Sequence, residues 1–182
     1  MTFKSTPIPG LLVIEPQIWP DERGYFTETY NEKAFHENGI RETFVQDNLS
    51  YSHRGVLRGL HAQAGKQAQG KLVRVLHGRV LDVAVDIRKA SETYGQSFSI
   101  TLDAGHGKAL WIPPGFLHGF LALEDHTVFA YKVTGFYDKG SELGVRWNDP
   151  DLRIEWPMDS DQLIVSEKDS QLPLLKEIRS PF

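Results

Sequence analysis

The sequence predicts an all-β protein, a sandwich or barrel of short strands with a few short helices at its periphery. Three observations predict this class. Apolar and polar residues alternate in many short runs, turn residues separate those runs at close intervals, and helical signals are confined to brief segments. This spacing is typical of sandwiches and barrels rather than of alternating strands and helices. At 182 residues the chain is long enough for one domain with a substantial core.

Ten strands are expected, each a short run between turn signals. They span 11–18, 25–30, 43–52, 55–61, 71–77, 79–87, 97–102, 109–112, 118–123 and 127–134. An early helix is expected over 32–38, because Asn31 is a good N-cap and Gly39 a good stop signal. The last quarter is richer in Pro and Asp, which predicts loops and short helices, with 172–178 as the best helix candidate.

We therefore expect a single domain over 1–182, without a linker that would separate a second one. N-terminal strands are expected over about 1–50, the core of the barrel over about 51–135, and C-terminal loops and short helices over about 136–182.

Residues two apart in a strand share a face. Over 79–88, Asp82 and Asp86 lie opposite an apolar face formed by Leu81, Val83, Val85 and Ile87. The same alternation groups Gln46 with Asn48 and Ser50, Phe26 with Glu28 and Tyr30, and Phe129 with Tyr131. Polar faces of antiparallel sheets usually lie in water, but a ligand-binding barrel can point them into its lumen. The alternation leaves both arrangements open.

Composition excludes several classes of function. The net charge of −4 argues against a general nucleic-acid binder, although a few Arg and Lys side chains can still hold a diphosphate. There is no cysteine, which excludes disulfides and thiolate nucleophiles. No apolar run approaches membrane-spanning length, and the first ten residues lack the apolar segment of a secretory signal. We expect no nucleic-acid or membrane partner, and a cytoplasmic location.

Two histidines, His61 and His118, each end a glycine-containing segment at the end of a predicted strand. The segments 55–61 and 107–118 together resemble the two halves of the signature of cupins, small β-barrels whose mouth usually holds a metal. The second histidine of that signature is here Gln63, and its glutamate, seven residues before Gly78, is Lys71. Zinc and iron usually need three or more protein ligands. The pattern therefore predicts no metal, and a cation at the position of Lys71 favours an anion.

Further motifs, in order along the chain, extend the resemblance from about residue 10 to residue 169. They are Arg23-Gly-Tyr-Phe26-x-Glu28, Gln46-Asp-Asn48-x-Ser50, Gly55-Val-Leu-Arg58-Gly-Leu-His61, Lys71, Gly78-x3-Asp82, Pro113-x-Gly115-Phe-x-His118, Tyr131, Tyr137, Glu142, Trp147-Asn-Asp-Pro-Asp151 and Ser166-Glu-Lys168-Asp169. This set resembles the dTDP-4-dehydrorhamnose 3,5-epimerase family. The resemblance implies a cupin-type jelly-roll barrel and an isomerase of dTDP-L-rhamnose biosynthesis that needs no cofactor.

The implied chemistry assigns roles to four residues. The substrate of the family is a dTDP-4-keto-6-deoxyhexose, whose C3 and C5 hydrogens are both acidified by the C4 ketone, so a base, an acid and a cation at O4 are needed. His61 is expected to be the base, since its unperturbed pKa of about 6.5 suits the task. Asp82 is expected to orient His61 as a dyad, Tyr131 to be the acid on the opposite face, and Lys71 to stabilise the enolate oxygen.

The resemblance also implies a binding set for the nucleotide and the sugar. Arg23 and Arg58 suit forked contacts with phosphates, and Lys168 is expected to contact the ligand as well. Tyr137 is expected to stack on the base, His118 to bind near the reacting sugar, and Phe26 to form a wall of the pocket or to act in it. Polar contacts are expected from Glu28, Gln46, Asn48 and Glu142.

Other interpretations remain open at this stage. A relative that inverts only C3 or only C5 would use the same residues, a metal-dependent cupin enzyme would bind stoichiometric metal, and a non-catalytic binder would need neither base nor acid. Taken one at a time, each lysine, arginine and tyrosine of the set is more often an ordinary surface or strand residue. The resemblance further implies a homodimer in which the N-terminal strand joins the sheet of the partner.

Overall fold

The architecture follows from two facing sheets that bury the apolar residues of alternating strands between them. It is described from a computed structural model of residues 1–182. Fourteen strands, β1 to β14, span Thr2–Ser5, Leu12–Glu15, Ile18–Asp21, Gly24–Thr27, Gln46–Ser52, Val56–Gln63, Lys71–His77, Arg79–Asp86, Ser97–Asp103, Ala109–Ile112, Phe116–Ala122, Thr127–Val133, Glu142–Gly144 and Ile164–Val165.

The helices are few and short. Helix α1 spans Glu32–Glu37 and α2 spans Glu167–Ser170, and 3-10 turns cover Gly65–Gln67, Lys139–Ser141, Ser160–Gln162 and Leu175–Glu177. Asn31 caps α1, because its side chain accepts a hydrogen bond from the backbone N–H of Ala34 at 3.1 Å. No helix is long and apolar enough to cross a lipid bilayer.

The first sheet has the strand order β1-β2-β10-β7-β12-β5. The second has the order β13-β6-β11-β8-β9, with β14 added in parallel to β6, while β3 and β4 form a separate hairpin. The central core lies between the two sheets and takes residues such as Val73 and Phe129 from the first and Ala84 and Phe120 from the second. This arrangement is the predicted all-β jelly roll.

Two smaller clusters seal the outer faces. Phe35, Ile40 and Phe44, around α1, cover the outer face of the first sheet at Trp111. Val83 and Val85 on the outer face of β8 pack under Leu152 and Leu175 of the C-terminal segment. The apolar face predicted for residues 79–88 is therefore the outer one, and the carboxylates opposite it point inward.

The strand predictions hold for most of the barrel, and β7 and β10 have the predicted bounds. The predicted strand 11–18 is divided at Pro16, which lacks the N–H that a continuous ladder needs. The predicted helix 172–178 is wrong. Only the 3-10 turn Leu175–Glu177 forms, because Pro173 draws the residue before it out of the helical region. Strands β1, β13 and β14 and helix α2 were not predicted, and β3 was predicted only at Ile18.

Candidate active site

A cavity of about 600 Å3 opens between the two sheets. Strand β6 brings His61 to it and β11 brings His118, and these two residues are directly opposite each other in the antiparallel register. Lys71 on β7 and Tyr131 on β12 reach the same space from the facing sheet. His61, Lys71 and Tyr131 also line a neighbouring cavity of about 150 Å3, so they lie where the two cavities meet.

Two glycines let β6 and β11 approach closely enough to set this register. A Cβ atom on Gly59 would lie 2.5 Å from the Cα of Gly119, and one on Gly119 would lie 2.7 Å from the carbonyl oxygen of Arg58. The pairing shifts register between His118 and Phe120, at this contact. The glycines that follow Arg58 and His118 in the sequence motifs are therefore packing requirements of the site.

His61 is oriented by Asp169. Its Nε2 lies 2.7 Å from Oδ1 of Asp169, whose other oxygen accepts the backbone N–H of Gly59 at 3.2 Å. Burial would raise the pKa of Asp169, but the hydrogen bond and charge of His61 outweigh it and hold that pKa below its ordinary value. A carboxylate can only accept, so Nε2 of His61 carries a hydrogen and Nδ1 presents a lone pair.

The predicted dyad of His61 with Asp82 is wrong. Asp82 bonds His118 instead, with 2.9 Å between Oδ2 and Nε2. The reason is the strand order, because β11 lies between β6 and β8 and separates Asp82 from His61. Asp82 is opposite Phe120 in the register, which places it beside the side chain of His118.

Asp169 was not predicted as a site residue, although the sequence carried a signal for its position. Ser166 and Asp169 have the spacing of a helix-capping pattern, and Oγ of Ser166 accepts the backbone N–H of Asp169 at 3.1 Å. This cap starts α2 and fixes the carboxylate against β6. The pattern predicts a helix start but not which strand the helix packs against.

Lys71 supplies the positive charge of the cavity wall. Its Nζ donates to the carbonyl oxygen of His61 at 3.3 Å. Burial lowers the pKa of Lys71 to about 8, against the opposing attraction of Asp82 and Glu142. The structure has no group of three or more His, Cys, Asp or Glu side chains placed to hold a metal ion. An ammonium group in the cavity wall suits an anionic oxygen.

Tyr131 faces His61 from the other sheet. It is partly buried, and this burial raises the pKa of its phenol, although the charge of Arg58 opposes the shift. Tyr131 therefore stays protonated at neutral pH and can donate a proton. A base and a proton donor thus lie on opposite walls of one cavity, with a cation at its side.

The structure brings most of the predicted binding residues to these cavities. Arg58 and Lys168 line the larger one, and Gln46, Asn48, Tyr137 and Glu142 line the smaller one. Glu142 lies between Lys168 and Tyr137. Its carboxylate accepts a hydrogen bond from Nζ of Lys168 at 2.5 Å and one from the hydroxyl of Tyr137 at 3.2 Å. Gln63, which occupies the position of the second cupin histidine, accepts a hydrogen bond from the backbone N–H of Asp138 at 2.9 Å.

Three of the predicted binding residues line neither cavity. Arg23 and Phe26 lie on the β3–β4 hairpin. Arg23 forms an ion pair with Asp21 at 2.5 Å, and Phe26 packs beside Trp19 with 69% of its surface exposed. Glu28 follows the hairpin and accepts from the side-chain amide of Asn31. The sequence could group these residues on one strand but could not show where a detached hairpin points.

Comparison with known proteins shows the family of this chain. The model of the family described as dTDP-4-dehydrorhamnose 3,5-epimerase matches residues 5–177. A dTDP-4-dehydrorhamnose 3,5-epimerase of Methanothermobacter thermautotrophicus is 51% identical over 96% of this chain and 95% of its own. The crystal structure of that enzyme from Elizabethkingia anophelis NUHP1 has a TM-score of 0.94 at 50% identity, covering 97% of each chain.

A second solved structure carries a ligand. The dTDP-6-deoxy-D-glucose-3,5-epimerase of Legionella pneumophila Philadelphia 1, in complex with dTDP-4-keto-L-rhamnose, has a TM-score of 0.94 at 47% identity and covers 98% of this chain and 94% of its own. These similarities extend over nearly the whole chain, including both walls of the cavity. The chain belongs to the dTDP-4-dehydrorhamnose 3,5-epimerase family, a family of isomerases.

Proposed function

We propose that the protein inverts C3 and C5 of dTDP-4-keto-6-deoxy-D-glucose, with His61 as the base and Tyr131 as the acid, to give dTDP-4-keto-L-rhamnose. The placement of His61 and Tyr131 on facing sheets across one cavity carries this assignment. Inversion needs a proton removed from one face of the carbon and delivered to the other. A binding protein has no need of that arrangement.

One base is enough for both carbons. In the gluco configuration the C3 and C5 hydrogens point to the same face of the ring, so Nδ1 of His61 can reach each in turn. At either carbon the C–H electron pair becomes the enolate, and the charge moves to O4, where the Lys71 ammonium stabilises it. Tyr131 then protonates the opposite face. The ketone is the electron sink, so the reaction needs no cofactor.

Asp169 is the orienting member of the pair. Its carboxylate holds the His61 hydrogen on Nε2, leaves Nδ1 free to accept a proton, and stabilises the imidazolium that results. The nucleotide is assigned to the remaining residues: Arg58 and Lys168 to the diphosphate, and Tyr137 to stacking on the base, with Gln46, Asn48 and Glu142 as polar contacts.

We also propose that the protein works as a homodimer in which the β3–β4 hairpin of one copy reaches the cavity of the other. Arg23 and Phe26 lie outside the cavities of their own chain, and the hairpin carries exposed Trp19, Tyr25 and Phe26. An exposed aromatic cluster of this kind is typical of an interface. Strand β1 pairs only with β2 and leaves its other edge free for a second sheet.

The test of the reaction is NMR of the 4-keto-6-deoxy-D-glucose nucleotide with chelator-treated protein in deuterated water. We expect deuterium at both C3 and C5 and an L-configured product, trapped by reduction of its ketone. Deuterium at one carbon only would reassign the protein to single-site inversion. An absence of exchange that added metal restores would overturn the role of Lys71. Because a nucleoside diphosphate sugar is a charged metabolite, we place this activity in the cytoplasm.

A further inference from the structure

The cavity contains a second histidine–carboxylate pair that the proposed proton transfers do not use. His118 is 7% exposed and Asp82 is completely buried. Their bond joins Nε2 to Oδ2 at 2.9 Å. The His118 ring is further held by stacking on Phe129, with 6.0 Å between ring centroids and 19° between planes. A buried ring fixed by packing and a carboxylate has one orientation, and so presents one defined edge to the cavity.

The identity of that edge follows from the hydrogen-bonding capacity of the two groups. An ionised Asp82 can only accept, so Nε2 of His118 carries the hydrogen between them. Burial lowers the pKa of His118, and the charges of Lys71 and His61 add to this, against the opposing effect of Asp82. The ring is therefore neutral at physiological pH. Its Nδ1, which has no hydrogen-bond partner in the chain, is then a pure acceptor.

Apart from Nδ1 of the proposed base His61, a pure acceptor is distinctive among the side chains of this wall. Arg58, Lys71 and Lys168 can only donate, and both oxygens of Asp169 are already occupied. Hydroxyls such as that of Ser50, which is buried and without a hydrogen-bond partner, can either donate or accept a hydrogen bond. The 4-keto-6-deoxy sugar offers few donors in return, because O4 is a carbonyl and C6 carries no hydroxyl. Its free ring hydroxyls are those at C2 and C3.

We propose that Asp82 is a positioning residue that holds His118 in the Nε2–H tautomer, so that Nδ1 accepts a hydrogen bond from a ring hydroxyl of the sugar, at C2 or C3. This inference rests on the proposed function for the identity of the sugar. It gives His118 the role of a hydroxyl receptor next to the reacting carbons. Nδ1 of His118 would thus fix the ring rotation that presents the C–H bonds to His61.

Asp82 also acts on Lys71, and the test must separate the two effects. The second oxygen of Asp82 is buried without a hydrogen-bond partner, and its charge helps to keep Lys71 protonated. Asp82→Asn would therefore weaken the cation at O4 as well as release the His118 tautomer. The effect at O4 applies to every 4-keto substrate, whereas the tautomer effect requires the hydroxyl.

The first measurement is 15N NMR of the histidine rings in the wild-type protein, which needs no variant to fold. We expect the Nδ1 of His118 to have the shift of an unprotonated nitrogen and Nε2 that of an N–H. In Asp82→Asn the amide can donate to Nε2, and the two shifts should exchange. A wild-type His118 that carries its hydrogen on Nδ1, or on both nitrogens at neutral pH, overturns the proposal.

The second measurement compares kcat/KM of the wild type and of Asp82→Asn on three substrates. Asp82→Asn should lower kcat/KM for the natural substrate by about tenfold or more. With the deoxy analogue that lacks the bound hydroxyl, most of this difference between variant and wild type should disappear. The 2-deoxy and 3-deoxy sugars decide between the two hydroxyls, with exchange at C5 as the common readout. An equal loss with all three substrates would mean that Asp82 acts only through Lys71 or the fold.

Asp86→Asn is the matched control. Asp86 is equally buried on the same strand, but it bonds Arg88, Ser91 and Thr93 away from the cavity. We expect that variant to lose stability without changing the ratio of kcat/KM among the three substrates. If wild-type protein does not epimerise the natural substrate, the proposed function fails, while the shift of Nδ1 on adding dTDP-glucose, which has both hydroxyls, still tests the acceptor.

Discussion

At the scale of single residues, the two buried aspartates that bond histidines of the site differ in which ring they orient. We propose that Asp169 holds the ring that takes the proton, whereas Asp82 holds the ring that receives a hydroxyl. The sequence named both histidines and Asp82, yet it paired His61 with Asp82 and not with Asp169. Pairing is decided by strand order across the sheet, and alternation along one strand contains no information about that order.

Asp169→Asn should lower kcat by about a hundredfold or more, because the amide can donate to Nε2 and leave His61 with its lone pair on the wrong nitrogen. The measurement is the rate of deuterium incorporation at C3 and C5. Asp82→Asn is the comparison, and it should retain considerably faster exchange. If Asp82→Asn proves slower than Asp169→Asn in this assay, the assignment of the dyad to Asp169 is wrong.

Lys71 predicts an alkaline limit to the reaction. Its pKa is lowered to about 8 by burial, so the ammonium that we propose stabilises O4 is present below that pH and is lost as the pH rises through it. We expect kcat to fall above a pH of about 8. Lys71→Met should turn over more slowly and lose this alkaline limb, whereas its affinity for the nucleotide should change less. A limb that persists in Lys71→Met belongs to another group.

At the scale of elements, the approach of β6 and β11 depends on two residues without side chains. Gly119→Ala would place a Cβ 2.7 Å from the carbonyl oxygen of Arg58 and 2.9 Å from Cδ2 of Leu60. Such a contact forces the strands apart, and overpacking of this kind costs about 1–3 kcal/mol. We expect a lower Tm together with loss of activity, since His61 and His118 move with their strands.

Gly140→Ala serves as the control for that variant, because the nearest atom to the added Cβ is 3.5 Å away and belongs to the side chain of Asp138. Its Tm should remain close to that of the wild type. An equal loss of Tm in both variants would remove the strand contact as the cause.

The elements also show how much the sequence determines. Strands β7 and β10 and helix α1 were predicted because the turn residues that bound the strands and the capping residue of the helix are local signals. Strands β13 and β14 were not, since two or three residues that pair with β6 carry no recognisable period. Asp169 was not predicted as a site residue either, because its place in the site comes from packing of α2 on a strand more than a hundred residues earlier.

At the scale of the whole molecule, Asp86 and Arg88 join distant parts of the chain. Arg88 bonds Asp86 and the carbonyl oxygen of Pro9, while the backbone N–H of Lys89 reaches the carbonyl oxygen of Phe182. Burial would raise the pKa of Asp86, but its hydrogen bonds to Arg88, Ser91 and Thr93 prevail and lower that pKa to about 2.

A depressed carboxyl pKa stabilises the fold above the unfolded value and ceases to do so as the pH falls through the folded one. We therefore expect wild-type stability to decline from a pH of about 4 towards about 2. In Asp86→Asn that part of the decline should be absent, and the variant should be less stable at neutral pH. Denaturant unfolding across this range measures the difference, and parallel curves for both proteins would contradict it.

The proposed dimer predicts complementation between inactive variants. Arg23→Ala alters the hairpin and His61→Ala the cavity, so each homodimer should lose most of its activity. After mixing and exchange of subunits, a heterodimer contains one cavity with an intact His61 and an intact hairpin. Activity should return to about a quarter of the wild-type value if subunits exchange at random. No recovery from a mixture shown to contain heterodimers would assign Arg23 to its own chain.

Because His61 and Tyr131 are attached to different sheets, their separation is set by the thickness of the apolar layer between those sheets. Residues such as Phe129 and Val75, which take no part in the proposed proton transfers, therefore help to set the gap between His61 and Tyr131. Warming or mild denaturant that loosens this layer should slow inversion before any unfolding is detected. The hydrophobic core of this protein thus sets the distance between the two residues proposed to transfer protons, His61 and Tyr131.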